Sequence, residues 1–163
     1  GSCVYPAIEG TRPVLLEVQA LVGQTALPVP RRMASGIDMN RLALMLAVLE
    51  KRVGLRLCGQ DVYANVVGGI RLSEPASDIA LAAAIVSSMR DAAIVDAVAM
   101  GEVGLTGEVR SVGQVERRLV ECAKMGFARA VVPQANVPGL KAPPGIKVFG
   151  VRSVLEALEV LIQ

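Results

Sequence analysis

The chain has 163 residues, enough for one domain with a real core. Apolar residues make up 53% and aromatics only 2%, so that core must be built from Ala, Val, Leu, Ile and Met, and the composition is globular rather than disordered. A formal charge of +2 is too small to imply a polyanionic partner by itself, and the absence of histidine excludes Ser-His-Asp and Cys-His catalysis and the commonest metal ligand.

Gly1-Ser2 reads as a cloning scar. Residues 14–22, VLLEVQALV, alternate around Glu17 and Gln19, the pattern of a strand with one wet face. Residues 23–36, with two prolines, two glycines and the pair Arg31-Arg32, read as loop. Asp38 can cap a helix whose Leu42, Met45, Leu46, Leu49 and Val53 recur at helical spacing. Gly54 ends it, with Lys51 and Arg52 in the last turn where they suit the dipole. Residues 61–69 read as a strand closed by a glycine pair. Ser73 is the predicted N-cap of the next helix, and Pro75 fits its first turn, where a missing N–H costs nothing. That helix, over about 76–90, is apolar nearly all round and should be buried on most faces.

Residues 96–113 predict a strand, a glycine-rich turn and a short second strand. A helix over 114–125 should turn Val115, Leu119, Cys122 and Ala123 inward and Glu116, Arg117, Arg118, Glu121 and Lys124 outward, with Gly126 stopping it. A strand at 129–133, a loop with Pro138, Pro143 and Pro144, a strand at 146–151 and a helix at 152–162 complete the chain. No repeat or linker divides it, so 1–163 reads as a single domain. Strands first, then mixed strand and helix, favours α+β over a doubly wound sheet.

Cys3, Cys58 and Cys122 are far apart and odd in number, with no CxxC spacing, so zinc is not expected; reduced thiols of a cytoplasmic protein are. The apolar run after Asp78 is broken by Ser87, Ser88 and Arg90, too soon to span a bilayer, and neither a signal peptide nor a P-loop is seen. Asp38, Glu102 and Glu108 read as a cap and strand-end charges rather than a metal site. Gly68-Gly69 and Gly104/Gly107 read as turn geometry rather than a phosphate cradle. Cys122 reads as a small buried residue.

The arginines are the more informative set, 13 against 4 lysines. Phosphate contact and GC-rich codon usage both give that skew. Arg31, Arg32 and Arg41 are candidate phosphate contacts, and Arg110, Arg117 and Arg118 cluster around the helix at 114–125. The plainer reading of each is a solvated face with local ion pairs of small energy. Aromatics do not interleave with them, so base stacking is not the expected mode. Binding would be backbone-directed and strongly salt-dependent.

GEVGLTGEVRSVGQVERRLVECAKMGFARAVVP resembles the second half of the Lon-type protease domain, and GGIRLSEPASDIALAAAIVSS resembles that family's nucleophile segment. EGTRPVLLEVQALV, PRR, NRLALMLAVLEKRVG and EPASDIA are closer to one branch, the C-terminal Lon-like domain of the RadA (Sms) family of bacterial DNA-repair proteins. With them the resemblance spans nearly the whole chain. It implies an α+β Lon protease-like domain of the ribosomal protein S5 domain 2-like fold. It also implies a Ser–Lys dyad in the true proteases, at positions held here by Ala76 and Glu116, with Asp78 where the family has glycine. Ser77 is one helical step along, rotated by about 100°, and Lys124 is about 12 Å down the helix from Glu116, whereas a serine needs its base within about 3 Å.

The resemblance therefore implies a protease fold without proteolysis: a C-terminal module of a RecA-like, ATP-driven DNA-repair motor that acts in recombination and branch migration. The module would hold a hexameric ring and offer basic residues to single-stranded or branched DNA. No cofactor is expected in the domain itself; ATP, Mg and Zn would bind a missing N-terminal part. RecA recombinase is a further implied partner, and a membrane is not. Two rivals stand beside this reading: a divergent Lon-type serine peptidase with a relocated dyad, and a pure oligomerisation scaffold without DNA contact.

Overall fold

A computed structural model describes residues 1–162. The chain opens with a hairpin of β1 (Ser2–Glu9) and β2 (Arg12–Gln24), antiparallel from Ser2↔Gln19 to Glu9↔Arg12 and turned at Gly10. The first strand escaped the sequence reading, although CVYPAI is an apolar run bounded by Glu-Gly-Thr. Pro6 argues against a central strand, but its missing N–H lies on the edge away from β2, so no ladder bond is lost. The long β2 then passes from β1 to β4 (Gln60–Val66), which it pairs from Val18↔Val66 to Gln24↔Gln60.

Part of the segment expected to be loop is also a strand. β3 (Arg32–Ser35) adds to β4 in parallel and forms one edge of the sheet. A parallel edge strand has no hairpin signal, and its four residues sit directly behind Pro28 and Pro30. On the other side β5 (Ala97–Ala99), β8 (Arg129–Pro133) and β9 (Lys147–Val151) continue from β1 in parallel. The result is one mixed, mostly parallel seven-stranded sheet of order β3-β4-β2-β1-β5-β8-β9, with a separate small hairpin of β6 (Glu102–Val103) and β7 (Val109–Arg110). With four helices this is the expected α+β class.

The helices are α1 (Met39–Val48), α2 (Asp78–Arg90), α3 (Val115–Lys124) and α4 (Val154–Leu161). Asp38 caps α1 as expected, accepting the Asn40 N–H at 2.9 Å. The helix runs on through a π-turn at Leu49–Val53 and stops at Gly54 in the left-handed conformation. Every residue of α2 from Asp78 to Ser87 is buried, which agrees with its all-round apolar pattern. It packs across β1 and β2. Its alanines let the backbone approach the sheet closely, and each fully buried Leu, Ile or Val beside them contributes about 1.5–3 kcal/mol. Ser73 does not cap it: the residue is exposed, and a short 3-10 turn at Pro75–Ser77 leads into the helix instead. No helix is long and apolar enough to cross a membrane among the described residues.

Candidate functional site

The two segments that resemble a protease dyad meet where α2 begins. The 3-10 turn is stitched to the strand that follows α2: the Gly101 N–H donates to the Ala76 carbonyl at 2.8 Å, and the Ile79 N–H donates to the Gly101 carbonyl at 3.2 Å. The approach demands glycine, because a Cβ on Gly101 would lie 2.4 Å from Ile79 Cδ1. Ala76 is buried in this turn and brings no hydroxyl. Ser77, its neighbour, donates its hydroxyl to the Glu74 carbonyl at 2.9 Å. Glu116 is exposed in the first turn of α3 and accepts the Lys141 N–H at 2.9 Å, which pins the loop between β8 and β9. A lysine there could not accept that bond.

Between the two segments lies a buried ion cluster. The Arg118 guanidinium pairs with Glu74 through two bonds, Nη1 to Oε1 at 3.1 Å and Nη2 to Oε2 at 3.2 Å. It also donates to the Pro6 carbonyl at 2.7 Å, the Gly113 carbonyl at 2.9 Å and the Tyr5 hydroxyl at 3.0 Å. Tyr5 in turn donates to Glu74, and the Ile8 N–H reaches the same carboxylate at 3.4 Å. Two side chains thus complete the edge of β1 where β5 has ended. Burial pushes the Glu74 carboxyl up, but Arg118, Tyr5 and the Ile8 N–H outweigh it and hold the group below its usual value. Burial and the Glu74 carboxylate together push the Tyr5 phenol strongly up, so it stays a neutral donor.

A second pair stands one turn away. Asp78 is 1% exposed and accepts both Nε and Nη2 of Arg41, with the Val103 N–H at 3.0 Å. It ties α1, α2 and the β6–β7 hairpin together where the protease family has glycine. Burial raises its pKa, and Arg41 and the Val103 N–H only partly offset that.

The candidate arginines therefore separate. Arg118 is 3% exposed, a correction to its expected outward position. Val115, Arg118, Leu119 and Cys122 lie at i, i+3, i+4 and i+7, so the helical period already placed it on the buried stripe. Arg41 is committed to Asp78. Arg32 donates to the Gln60 carbonyl and to those of Leu57 at 3.1 Å and Arg31 at 3.2 Å. Arg31, Arg110 and Arg117 are exposed. Arg110 lies 3.3 Å from Glu108 and 3.7 Å from Glu102, and Arg117 donates to Gln114 and to the Thr11 carbonyl, both at 3.0 Å. Sequence reasoning singled out neither Tyr5 nor Glu74 as a site residue; nothing local marks either.

The remaining candidates are structural. Glu108 folds over Gly104 and accepts the Thr106 N–H and hydroxyl at 3.2 and 2.8 Å, so a carboxylate fills the place a phosphate would need. No group of three metal-ligating side chains forms among the described residues. Cys3 and Cys122 are buried thiols pushed up to about 12 by desolvation, and are inert.

Residues 60–161 match the family described as the Lon protease (S16) C-terminal proteolytic domain. The chain is 54% identical over 159 residues to the DNA repair protein RadA of Bacillus subtilis, covering 97% of this chain and 35% of that protein. It is 51% identical over 161 residues to RadA of Escherichia coli, covering 98% and 35%. For RadA of Streptococcus pneumoniae the figures are 46% over 160 residues, covering 98% and 38%. The chain thus spans about a third of the length of these relatives. It belongs to the Lon protease C-terminal domain family and, along nearly its whole length, is similar to the C-terminal domain of RadA.

Proposed function

We propose that this domain is a non-proteolytic Lon-type module of a RecA-like, ATP-driven DNA-repair motor, and that it supports assembly of a hexameric ring and contacts single-stranded or branched DNA during branch migration. The observation that carries the loss of proteolysis is the Glu74–Arg118 pair. It commits the charges that flank the two segments to each other, while Ala76 brings no hydroxyl and the exposed Glu116 accepts a backbone N–H instead of offering an amine. The relocated-dyad alternative fares worse, since the Ser77 hydroxyl is engaged within its own turn.

The DNA part rests on the relatives, which are named DNA repair proteins, and on the exposed Arg31, Arg110 and Arg117. In a ring each is repeated around a channel, so a weak charge per chain becomes a concentrated field. ATP, Mg and Zn would be bound by the part of the longer relatives outside this chain, which would also place the protein in the cytoplasm beside RecA. The scaffold reading has one observation in its favour: Arg110 and Arg117 already have acceptors in their own chain. Anisotropy of a labelled single strand across a salt series separates the two. Binding that weakens with salt, and weakens further in Arg31→Glu, supports DNA contact. No binding at low salt, where the electrostatic part is largest, leaves the scaffold.

A further inference from the structure

The sheet is uncovered on one side over the end of β2, β4 and β3. Leu16, Val18, Ala20, Val62, Ala64 and Val66 point inward, so the alternate residues of β2, β4 and β3 point out. Register places Leu21, Tyr63 and Met33 in one row across the three strands, and Gln19, Asn65 and Ser35 in the next. Leu21 is 63% and Met33 57% exposed. Gln19, Leu21, Tyr63 and Asn65 border an open groove on this face. Arg31 is exposed directly before β3, and its carbonyl accepts the Val62 N–H at 2.9 Å, which sets it beside the end of β4. Asp61 stands beside it and accepts the Arg31 backbone N–H at 2.7 Å, which leaves the guanidinium itself turned to solvent. Glu17 bounds the other end and accepts from Gln19 at 3.4 Å.

We infer that this face is a platform for a nucleobase of a single strand. The half-buried Tyr63 ring stacks the base between Leu21 and Met33, the Asn65 and Gln19 amides meet its hydrogen-bonding edge, and Arg31 takes the adjoining phosphate. The combination is that of sheet surfaces that bind splayed-out bases, an aromatic ring flanked by apolar walls and amides with one cation. Asp61 and Glu17 repel further phosphates, so contact here is base-directed. In the sequence Tyr63 is remote from Arg31, and only the β3–β4 pairing brings them together. This inference rests on the DNA-contact reading above and gives it a different salt signature. One phosphate on a single strand gives a log–log slope of about −0.7.

The test uses the chain itself with a labelled oligodeoxythymidine, an abasic strand of equal length, and the variants Tyr63→Phe and Tyr63→Ala. The chain has no Trp and two Tyr, and Tyr5 is fully buried, so quenching of tyrosine fluorescence by the strand reports Tyr63. Expected are quenching, affinity retained in Tyr63→Phe, and a loss of roughly five- to hundredfold in Tyr63→Ala and on the abasic strand. Equal binding by all proteins and both strands, with a steep salt slope, overturns the platform and leaves backbone contact standing. No binding by the unaltered chain at low salt removes both. A dimer that Tyr63→Ala dissociates, with DNA binding unchanged, shows that a second copy covers this face and overturns the platform. Should Tyr63→Ala fail to fold, absence of quenching in the unaltered chain is decisive against it.

Discussion

Arg118→Met tests the buried cluster most directly, because methionine keeps the apolar stem and removes only the guanidinium. Breaking a buried pair costs about 3–5 kcal/mol. The Glu74 side chain is 34% exposed, so water reaches the orphaned carboxylate and the pair itself should sit at the lower end. The Pro6 and Gly113 carbonyls lose their donor as well, at about 1 kcal/mol. The expected sum is about 4 kcal/mol, a fall in Tm of about 8–16 °C for a chain of this size. Urea unfolding at pH 7 measures it, with Glu74→Leu and the double variant closing a cycle whose coupling should be about 2 kcal/mol. The folded pKa of Glu74 is lowered from 4.5, so its contribution is complete above that value and is lost as pH falls through the folded pKa. The coupling should therefore shrink in acid. A cost below about 1 kcal/mol, or a coupling near zero at pH 7, would mean that Arg118 is solvated and the cluster unimportant.

Three further outcomes are expected. A serine-reactive phosphonate should not label the unaltered chain, because Ala76 brings no hydroxyl and the Ser77 hydroxyl is engaged with the Glu74 carbonyl; labelling of Ser77 would reverse the reading. Asp78 has a folded pKa raised above 3.8, so the native state holds the extra proton and its contribution falls as pH rises from about 4 through the folded value. The stability of the unaltered chain relative to Asp78→Asn should therefore be greatest at the acid end of that window, and a difference that grows with pH would contradict the burial argument. Gly101→Ala should cost about 1–3 kcal/mol, since its Cβ would press on Ile79 Cδ1 at 2.4 Å and Val109 Cγ1 at 3.0 Å; a neutral melting temperature would show that α2 can shift to make room.

Much of this molecule was readable along the chain. The helical periods of α1 to α4, the caps at Asp38 and Gly54 and the alternation in β2 are local, because each depends on residues a few positions apart. That Ala76 and Glu116 stand where the proteases carry Ser and Lys is what the resemblance of their segments implies. What the linear pattern could not supply is pairing over long separations. β3 is a strand only because β4 lies beside it, and β1 tolerates Pro6 because side chains, not a strand, meet its outer edge there. Arg118 needs Glu74, 44 residues away, and Tyr5, 113 residues away. A charged residue on a helix looks solvated until a distant carboxylate and carbonyl are brought to it. Burial then makes satisfying those charges obligatory, since an unpaired one would cost several kcal/mol. The helical period could put Arg118 on a buried stripe, but which carboxylate and carbonyls satisfy it there, and that Arg41 is committed to Asp78 while Arg31 faces solvent, were decided by the tertiary structure.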